Sequence, residues 1–177
     1  EAVNEGVRAA VRNAYLRSSI VSDPIRRVNT GDNTPAFIYY DIVPGDTVRI
    51  TVAPRGFGCE NKARLKMFAP ADGLEAIRGF ILETASQAVP DACPPITIGI
   101  CIGANFDRAA YLSKKACLLS RPNPDPFYAA LEDELLEKMK KYAIGVHIIS
   151  APTHIAGLPC AVSIGCHSLR CASEVLS

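Results

Sequence analysis

Apolar residues recur at the helical spacing of three and four in four segments of the chain. Near its start, Val3, Val7, Val11 and Ala14 form one apolar face. The last segment opens with Asp125-Pro126, an N-cap residue followed by a proline at the first helical position. This pattern predicts four helices, over residues 1–15, from the N-cap Asp72 to Ala85, over residues 106–119 and over residues 126–139.

Strand-sized apolar runs lie between and after these segments. Ala36–Val43 and Thr47–Ala53 flank Pro44-Gly45-Asp46 and are typical of a short β-hairpin, whose second strand would pack its apolar face on the core. The run Ile96–Ile102 is typical of a strand buried on both faces. These elements predict a single domain of the α+β (mixed α/β) class, with a mixed sheet that contains the hairpin and about four flanking helices. The two remaining predicted strands are Ile144–Ile149 and Cys160–Ile164.

Composition narrows the class of protein. A chain of 177 residues is long enough for one domain with a hydrophobic core, and its 49% apolar and 21% charged residues are ordinary for a globular protein. A net charge of +1, without any run rich in Lys or Arg, gives no electrostatic basis for binding nucleic acid. No apolar stretch has the length of a membrane span, and no signal-peptide pattern opens the sequence. We therefore expect a cytoplasmic enzyme or binding domain with no membrane partner.

Seven cysteines are unusual in a chain without a secretion signal. Their odd number and the reducing cytosol argue against a disulfide framework, which leaves buried core thiols and metal ligands as explanations. Cys101, in the run Ile98–Ile102, and Cys117, in a predicted helix, have the apolar neighbours of core thiols. Near the C-terminus, four Cys and His residues lack the closely paired spacing of a structural zinc site: Cys160, Cys166, His167 and Cys171.

Polar and reactive residues collect where predicted helices and strands end, which is where rigid elements can orient functional groups. Each has a structural explanation when taken alone. Arg17 has the character of a surface arginine, His154 that of a histidine at the core edge, and Cys93 that of a buried thiol. Gly56-Phe57-Gly58 is also explained as a turn, because it lacks the rest of a nucleotide-binding fingerprint.

Six segments follow one another in an order that matches a known family. They are Tyr15-Leu16-Arg17, Asn29–Pro35, Arg55–Asn61, Cys93-Pro94-Pro95, Ala151–Pro159 and Ile164–His167. Together they resemble the successive motifs of class I iron–sulfur fumarases and tartrate dehydratases, over nearly the whole chain. The Gly-Phe-Gly and Pro-Thr-His-Ile-Ala-Gly forms resemble the separate alpha subunits rather than the fused single-chain enzymes.

The resemblance implies an iron–sulfur cofactor. In the family, three cysteines hold a [4Fe–4S] cluster whose fourth iron is open to substrate, and thiolates are the normal ligands of such clusters. By motif, Cys93 and Cys166 are two of the three metal ligands. The third lies in a Cys-Gln-Asp-Thr-Gly segment that has no match in this sequence.

The resemblance also implies residues that contact the substrate. Arg17 would bind a substrate carboxylate, because the guanidinium fork can engage both of its oxygens. His154 would be a catalytic residue that hydrogen-bonds the substrate. We therefore expect the thiols of Cys93 and Cys166 to face one cavity, with Arg17 and His154 pointing toward it. The backbone of Gly56, Phe57 and Gly58 would approach the substrate closely, for which glycine is suited.

The function implied is that of an alpha subunit of a two-subunit hydro-lyase, which catalyses the reversible hydration of fumarate to malate. The alternatives are the alpha subunit of an L-tartrate dehydratase and a non-catalytic paralogue without a cluster. In the family a separate beta subunit supplies further substrate contacts and catalytic groups. We therefore expect a beta-subunit partner, a homo-oligomer of alpha–beta pairs, a small dicarboxylate substrate and no activity from the alpha chain alone.

The sequence departs from the family pattern at several places. Cys59 stands where a serine is usual, and Ile102–Asn105 replaces a turn richer in glycine and threonine. A Gly-rich loop of the family has no counterpart between Tyr142 and Ala143, although a helix-to-strand connection usually needs about two to six residues. We therefore expect that the sequence omits both the first ligand segment and this loop. A truncated paralogue is the alternative.

Overall fold

The computed structural model describes residues 1–176 and divides into two units, Glu1–Asp46 and a second that begins at Thr47. The first unit contains helix α1 (Ala2–Asn13), as predicted. The segment after α1 is tied to the polar loop by Asn33, whose Oδ1 accepts from the Ser19 amide at 2.6 Å and whose Nδ2 donates to the Arg17 carbonyl at 2.9 Å. The polar loop therefore organises the turn that carries Arg17.

Asp32 is the second anchor of this loop. Its Oδ1 accepts from the hydroxyl of Thr34 at 2.7 Å and from the Thr34 amide at 2.9 Å, and its Oδ2 accepts from Arg8 Nε at 3.1 Å. These contacts, the Thr34 hydroxyl foremost, lower the pKa of the Asp32 carboxyl. The residues that the family motif shares at 29–35 thus have a structural role within their own unit.

The predicted β-hairpin is wrong. Ala36–Val43 forms no strand, and strand β1 (Val48–Val52) pairs instead with β6 (Ala172–Leu176), in antiparallel register. The apolar residues of β1 also do not face the core, because Val48 and Val52 are both more than half exposed. Strand propensity at 36–43 could not reveal that β1 finds its partner at the far end of the chain.

A four-stranded mixed sheet carries the rest of the second unit. Its strand order is β2-β5-β3-β4, in which β3 and β4 are parallel and the other neighbours are antiparallel. The α+β class with a mixed sheet is therefore confirmed. The strands are β2 (Arg64–Phe68), β3 (Ile96–Gly103), β4 (Ala143–Ala151) and β5 (Leu158–Gly165).

Helices cover both faces of this sheet. One core cluster joins β3 and β5 to helices α3 (Gly73–Ala88) and α5 (Pro126–Met139), and a smaller cluster joins them to α4 (Phe106–Ala116). The Asp125 carboxylate caps α5 by accepting from the Phe127 amide at 2.9 Å, as predicted. Burial of β3 on both faces is confirmed as well. None of the helices in the described part of the chain is long and apolar enough to cross a membrane.

The connection from α5 to β4 is made by residues 140–142. The Tyr142 amide donates to the Met139 carbonyl at 3.0 Å, and the Tyr142 carbonyl accepts from the Ile96 amide at 2.8 Å. Three residues fall within the usual length of such connections. The turn therefore closes without additional residues and joins β4 directly to the edge of β3.

Gly99 marks the closest approach of α4 to the sheet. A Cβ atom there would lie 2.2 Å from the Ser113 carbonyl oxygen and 2.5 Å from the Cys117 amide nitrogen. We expect Gly99→Ala to destabilise the protein by roughly 3 kcal/mol, because helix and strand must separate to admit the methyl group. In contrast, Gly79→Ala in α3 should stabilise it by about 0.5–1 kcal/mol, since a Cβ there has no atom within 4 Å. Urea titration of both variants checks this, and equal midpoints would contradict it.

Candidate functional site

The segments that contain Cys93 and Cys166 meet at one end of the sheet. Cys93 precedes β3 and Cys166 follows β5, and because these strands are antiparallel, with Thr97 opposite Gly165, the two segments lie side by side. The Cys93 carbonyl accepts from the His167 amide at 3.4 Å and lies 3.0 Å from His167 Nδ1. The topology thus brings together the two predicted cluster ligands, which are far apart in sequence.

Cys59 adds a third thiol at this end. It lies in the short helix α2 (Phe57–Glu60), where its Sγ donates to the Ala92 carbonyl at 3.4 Å. Cys59 and Cys166 line a cavity of about 20 Å³, room for one water molecule. Cys93 does not line this cavity. The other lining residues are Pro54, Arg55, Gly56, Ile164, Gly165, Ser168 and Leu169.

The pKa values of Cys59 and Cys166 are shifted in opposite directions. Burial, with a smaller contribution from Cys166, raises the pKa of the Cys59 thiol to about 11. Burial would also raise the pKa of Cys166, but hydrogen bonds from the side chain and backbone of Ser168 lower it, and the net shift is downward. Cys166 therefore has more thiolate character than Cys59, which is the form that binds iron.

Arg55 places a positive charge beside these thiols. Its Nη2 donates to the Ile164 carbonyl at 2.6 Å and its Nε lies 3.5 Å from the Glu60 carboxylate, which also pairs with Lys114. Its Nη1 is buried and has no hydrogen-bond partner among residues 1–176. An unpaired N–H next to thiols suits a ligand with sulfur acceptors, because hydrogen bonds to sulfur tune iron–sulfur clusters.

A single metal ion and an iron–sulfur cluster need different arrangements of ligands. Within residues 1–176 no three His, Cys, Asp or Glu side chains lie close enough together to hold one ion. A cubane cluster needs a different arrangement, since each thiolate binds a different iron atom. The exposed thiol of Cys93 and the half-buried thiol of Cys166 would fit such a cluster in donor chemistry.

His154 lies at the opposite end of the sheet. It borders an open groove of about 560 Å³ and precedes β5, whereas Cys166 follows that strand. The eight residues of β5 separate the two by roughly 25 Å. The expectation that His154 faces the same cavity as the cysteines is therefore wrong for a single chain. The groove is lined by Ala104, Asn105, Arg108, Leu112, Ala151, Pro152, Thr153 and His154.

The ring of His154 has a defined tautomer. Its Nδ1 accepts from the Ala156 amide at 3.2 Å, so the neutral ring carries its proton on Nε2. The neighbouring Thr153 hydroxyl donates to the Ala104 carbonyl at 2.8 Å and fixes the loop to the end of β3. His154 is exposed and can donate from Nε2 to a ligand in solution or on another chain.

Arg17 lies in the first unit of the chain, whereas Gly56, Phe57 and Gly58 lie in the second. The Arg17 side chain is exposed on the first unit, and its backbone is held by Asn33. Phe57 is 61% exposed at the start of α2. Gly58 packs against the loop before β3, where a Cβ would lie 2.8 Å from the Asp91 carbonyl oxygen. Gly58 therefore has a packing role in addition to any contact with a substrate.

The remaining buried thiols have no part in this site. Cys101 and Cys117 are buried, as predicted, and Cys160 is buried beside Cys101. Burial raises the pKa of Cys101 to about 11 and that of Cys160 to about 12, so both stay protonated at neutral pH. Their environments are those of core residues.

We expect Cys101→Ala to change stability and leave activity intact. Removing a fully buried sulfur should lower the free energy of unfolding by about 1–2 kcal/mol. Urea titration and steady-state turnover measure the two effects. Loss of cluster absorbance in a folded Cys101→Ala variant would contradict the assignment of this thiol to the core.

Comparison with known proteins agrees with the motifs. A family model described as fumarate hydratase (Fumerase) matches residues 1–174. The "Putative L(+)-tartrate dehydratase subunit alpha" of Methanocaldococcus jannaschii is 37% identical over 188 residues, which cover 96% of this chain and 66% of that protein. The L(+)-tartrate dehydratase subunit alpha of Escherichia coli strain UTI89 is 35% identical over 186 residues, covering 95% of this chain and 61% of that protein.

Two facts about length follow from these matches. The chain spans less than two thirds of the length of these relatives. The aligned stretches of 188 and 186 residues also exceed the 177 residues of the chain. The relatives therefore have residues inside the matched region for which this chain has no counterpart.

Proposed function

The chain belongs to the fumarate hydratase (Fumerase) family, and we propose that it is the alpha subunit of a two-subunit iron–sulfur hydro-lyase. The observation that carries the proposal is the meeting of the Cys93 and Cys166 segments at one end of the sheet, beside the unpaired Nη1 of Arg55. The relatives' names, which contain the words "subunit alpha", support a beta-subunit partner.

The substrate proposed is a small four-carbon dicarboxylate. The resemblance of the motifs alone favours fumarate as the substrate, with malate as its hydration product. The names of the relatives favour L-tartrate, whereas the family description names fumarate. We give the greater weight to L-tartrate dehydration, because the relatives named for it align with almost the whole chain.

The cluster, when bound, would supply a Lewis acid at the iron left open to substrate. Cys93 and Cys166 would hold it through two irons, and the third thiolate would come from the Cys-Gln-Asp-Thr-Gly segment of the family. Arg17 would bind a substrate carboxylate with its fork of N–H donors. Proton removal next to a carboxylate builds up negative charge, and a fixed guanidinium stabilises that charge in the transition state.

We propose that His154 serves the substrate site of a neighbouring alpha–beta pair. Within one chain β5 keeps it roughly 25 Å from Cys166, but a homo-oligomer can bring the two ends of the sheet from different copies together. Its Nε2–H would then donate to a substrate oxygen. This arrangement requires the expected homo-oligomer of alpha–beta pairs.

Mixing two inactive variants tests the shared site. Cys166→Ser and His154→Asn subunits, each inactive alone, should recover about a quarter of wild-type activity in randomly mixed dimers, because half of the sites in a mixed dimer combine both intact residues. A mixture of Cys166→Ser with Cys93→Ser is the control: if both ligands come from one chain, every site of a mixed dimer carries one of the two changes and no activity is recovered. No recovery in the first mixture, with subunit exchange shown by mass spectrometry, would place His154 in its own chain's site or outside catalysis.

The hydro-lyase itself is tested by purifying the alpha and beta subunits together without oxygen and measuring turnover of fumarate and L-tartrate. We expect turnover by the pair and none by the alpha chain alone. A faster reaction with L-tartrate would support the substrate favoured by the relatives' names. Absence of turnover with either substrate, in protein that has taken up iron and sulfide, would contradict the proposal and favour the non-catalytic paralogue.

We further infer that the family's Gly-rich loop between Tyr142 and Ala143 is among the internal residues that this chain lacks. The support is the excess length of the alignments over that of the chain, since the three-residue turn between α5 and β4 is of ordinary length and needs no further residues. Sequencing the gene across the codons of Tyr142 and Ala143 tests this inference. Further codons between them would support it, and directly adjacent codons would contradict it.

A further inference from the structure

Cys59 and Cys166 lie beside one another in the folded chain. Both line the same cavity of about 20 Å³, although they lie on different elements, α2 and the end of β5. Both are free cysteines. Their exposure differs, because Cys59 is 5% exposed whereas Cys166 is half-buried.

Both thiols are held in place by their surroundings. Cys59 Sγ donates to the Ala92 carbonyl, and the preceding Gly58 packs so closely on Asp91 that a Cβ would be 2.8 Å from its carbonyl oxygen. Cys166 Sγ lies 2.8 Å from the Ser168 hydroxyl. Two thiols held by separate elements around a cavity with room for one water molecule are placed where a disulfide can join them.

We propose that Cys59 and Cys166 form a reversible disulfide when a peroxide reaches the cluster-free site. The half-exposed Cys166 sulfur attacks hydrogen peroxide, forming an S–O bond as the O–O bond breaks and one water leaves. The Cys59 sulfur then attacks Cys166, forming the S–S bond as the S–O bond breaks and the second water leaves. Two thiols are oxidised by two electrons and one peroxide is reduced to two waters.

Cys93 is a weaker partner for Cys166. The contact between the two segments involves the Cys93 carbonyl and His167, and Cys93 does not line the cavity that Cys59 and Cys166 share. The serine usual at position 59 in the family could not form a disulfide. The pairing is therefore a property of this sequence, which arises from its cysteine at that position.

The consequence for the cofactor rests on the proposed function. A disulfide engages the Cys166 sulfur, which could then no longer bind iron. A thiol reductant restores it, since thiolate attack on the S–S bond returns both cysteines to the reduced form. The pair would thus protect a cluster ligand from irreversible oxidation to sulfinic acid while the site is empty.

Peptide mapping tests the disulfide. The cluster-free 177-residue chain is treated with hydrogen peroxide, its remaining thiols are blocked with N-ethylmaleimide, and it is digested with trypsin without reductant. We expect the peptide of residues 56–62 linked to that of residues 142–170, and separation of the two by a phosphine reductant. A link from Cys93 to Cys166, or no link while Cys166 is oxidised to sulfinic acid, would overturn the proposal.

Matched variants identify the sulfurs. Cys59→Ser and Cys166→Ser should each abolish the link, and Cys59→Ala repeats the first if the serine variant does not fold. Cys160→Ala should retain the link, because Cys160 lies in the same tryptic peptide but is fully buried. Cys93→Ser should retain it as well. Loss of the link in Cys160→Ala or Cys93→Ser, with the fold intact, would assign the bond to another pair and refute the inference.

Iron loading separates this inference from the proposed function. The full gene product is oxidised with peroxide and then offered ferrous iron and sulfide, with and without prior reduction. We expect at least about a tenfold higher iron content after reduction, and no such dependence in Cys59→Ser. A chain that forms the disulfide but never takes up iron would refute the cofactor assignment and leave the disulfide standing. A chain that takes up iron but forms no disulfide would do the reverse.

Discussion

Replacing Cys166 with serine is expected to abolish cluster binding and to lower turnover more than about 100-fold. The estimate follows from metal sites in general, where even outer-shell partners cost about 10- to 100-fold, so a direct ligand should cost more. The fold should survive, because Cys166 is half-buried at the end of β5 and serine retains the hydrogen bond to Ser168. Iron content, visible absorbance, circular dichroism and turnover of the alpha–beta pair measure these effects.

Cys171 provides the matched control. It is an exposed thiol near Cys166 in sequence and does not line the cavity that Cys59 and Cys166 share. Cys171→Ser should therefore keep wild-type iron content and turnover. Equal iron content in the Cys166→Ser and Cys171→Ser variants would show that Cys166 is not a ligand.

Replacing Arg17 with methionine is expected to lower kcat/KM about 100-fold, since the loss of a charge-assisted hydrogen bond to a carboxylate costs roughly 3 kcal/mol. Its side chain is exposed, and it is the Arg17 backbone carbonyl, not the guanidinium, that Asn33 holds. The first unit should therefore keep its structure. Steady-state kinetics with each substrate and thermal unfolding measure the two effects separately.

Arg12→Met is the control for the loss of charge. Arg12 is also exposed and lies in the last turn of α1, within the same unit as Arg17. We expect its variant to change kcat/KM less than twofold, as for a surface substitution away from the site. Equal kinetics of the Arg17→Met and Arg12→Met enzymes would rule out a carboxylate contact by Arg17.

Local signals in the sequence were sufficient for the elements with strong periodicity. The cap at Asp125, the buried face of α3 and the two-sided burial of β3 all follow from neighbouring residues. In contrast, β1 pairs with β6 across most of the chain, and no local pattern at Ala36–Val43 indicates that this segment has no strand partner. Edge strand β2 was missed because its Arg and Lys residues, which suit an edge, hide the apolar alternation.

In the candidate site, too, local patterns predict some features, and others depend on tertiary structure. The order of the motifs identified the family and the segments that bear Cys93 and Cys166, because motifs are local. The distance between His154 and Cys166 depends on the direction and length of β5, and a motif on each side of a strand does not reveal that the strand separates them. In the sequence, Cys59 stands out only as a departure from the usual serine. Its position beside Cys166 arises from the tertiary packing of α2, which no local pattern predicts.

The proposed function requires a cluster with one iron open to substrate. Mössbauer spectroscopy of the anaerobic alpha–beta pair, enriched in the isotope ⁵⁷Fe, distinguishes that iron from the others. We expect that adding L-tartrate or fumarate shifts the signal of one iron in four and leaves the other three unchanged. Four irons whose signals do not respond to either dicarboxylate, or a purified pair that retains no iron, would contradict it.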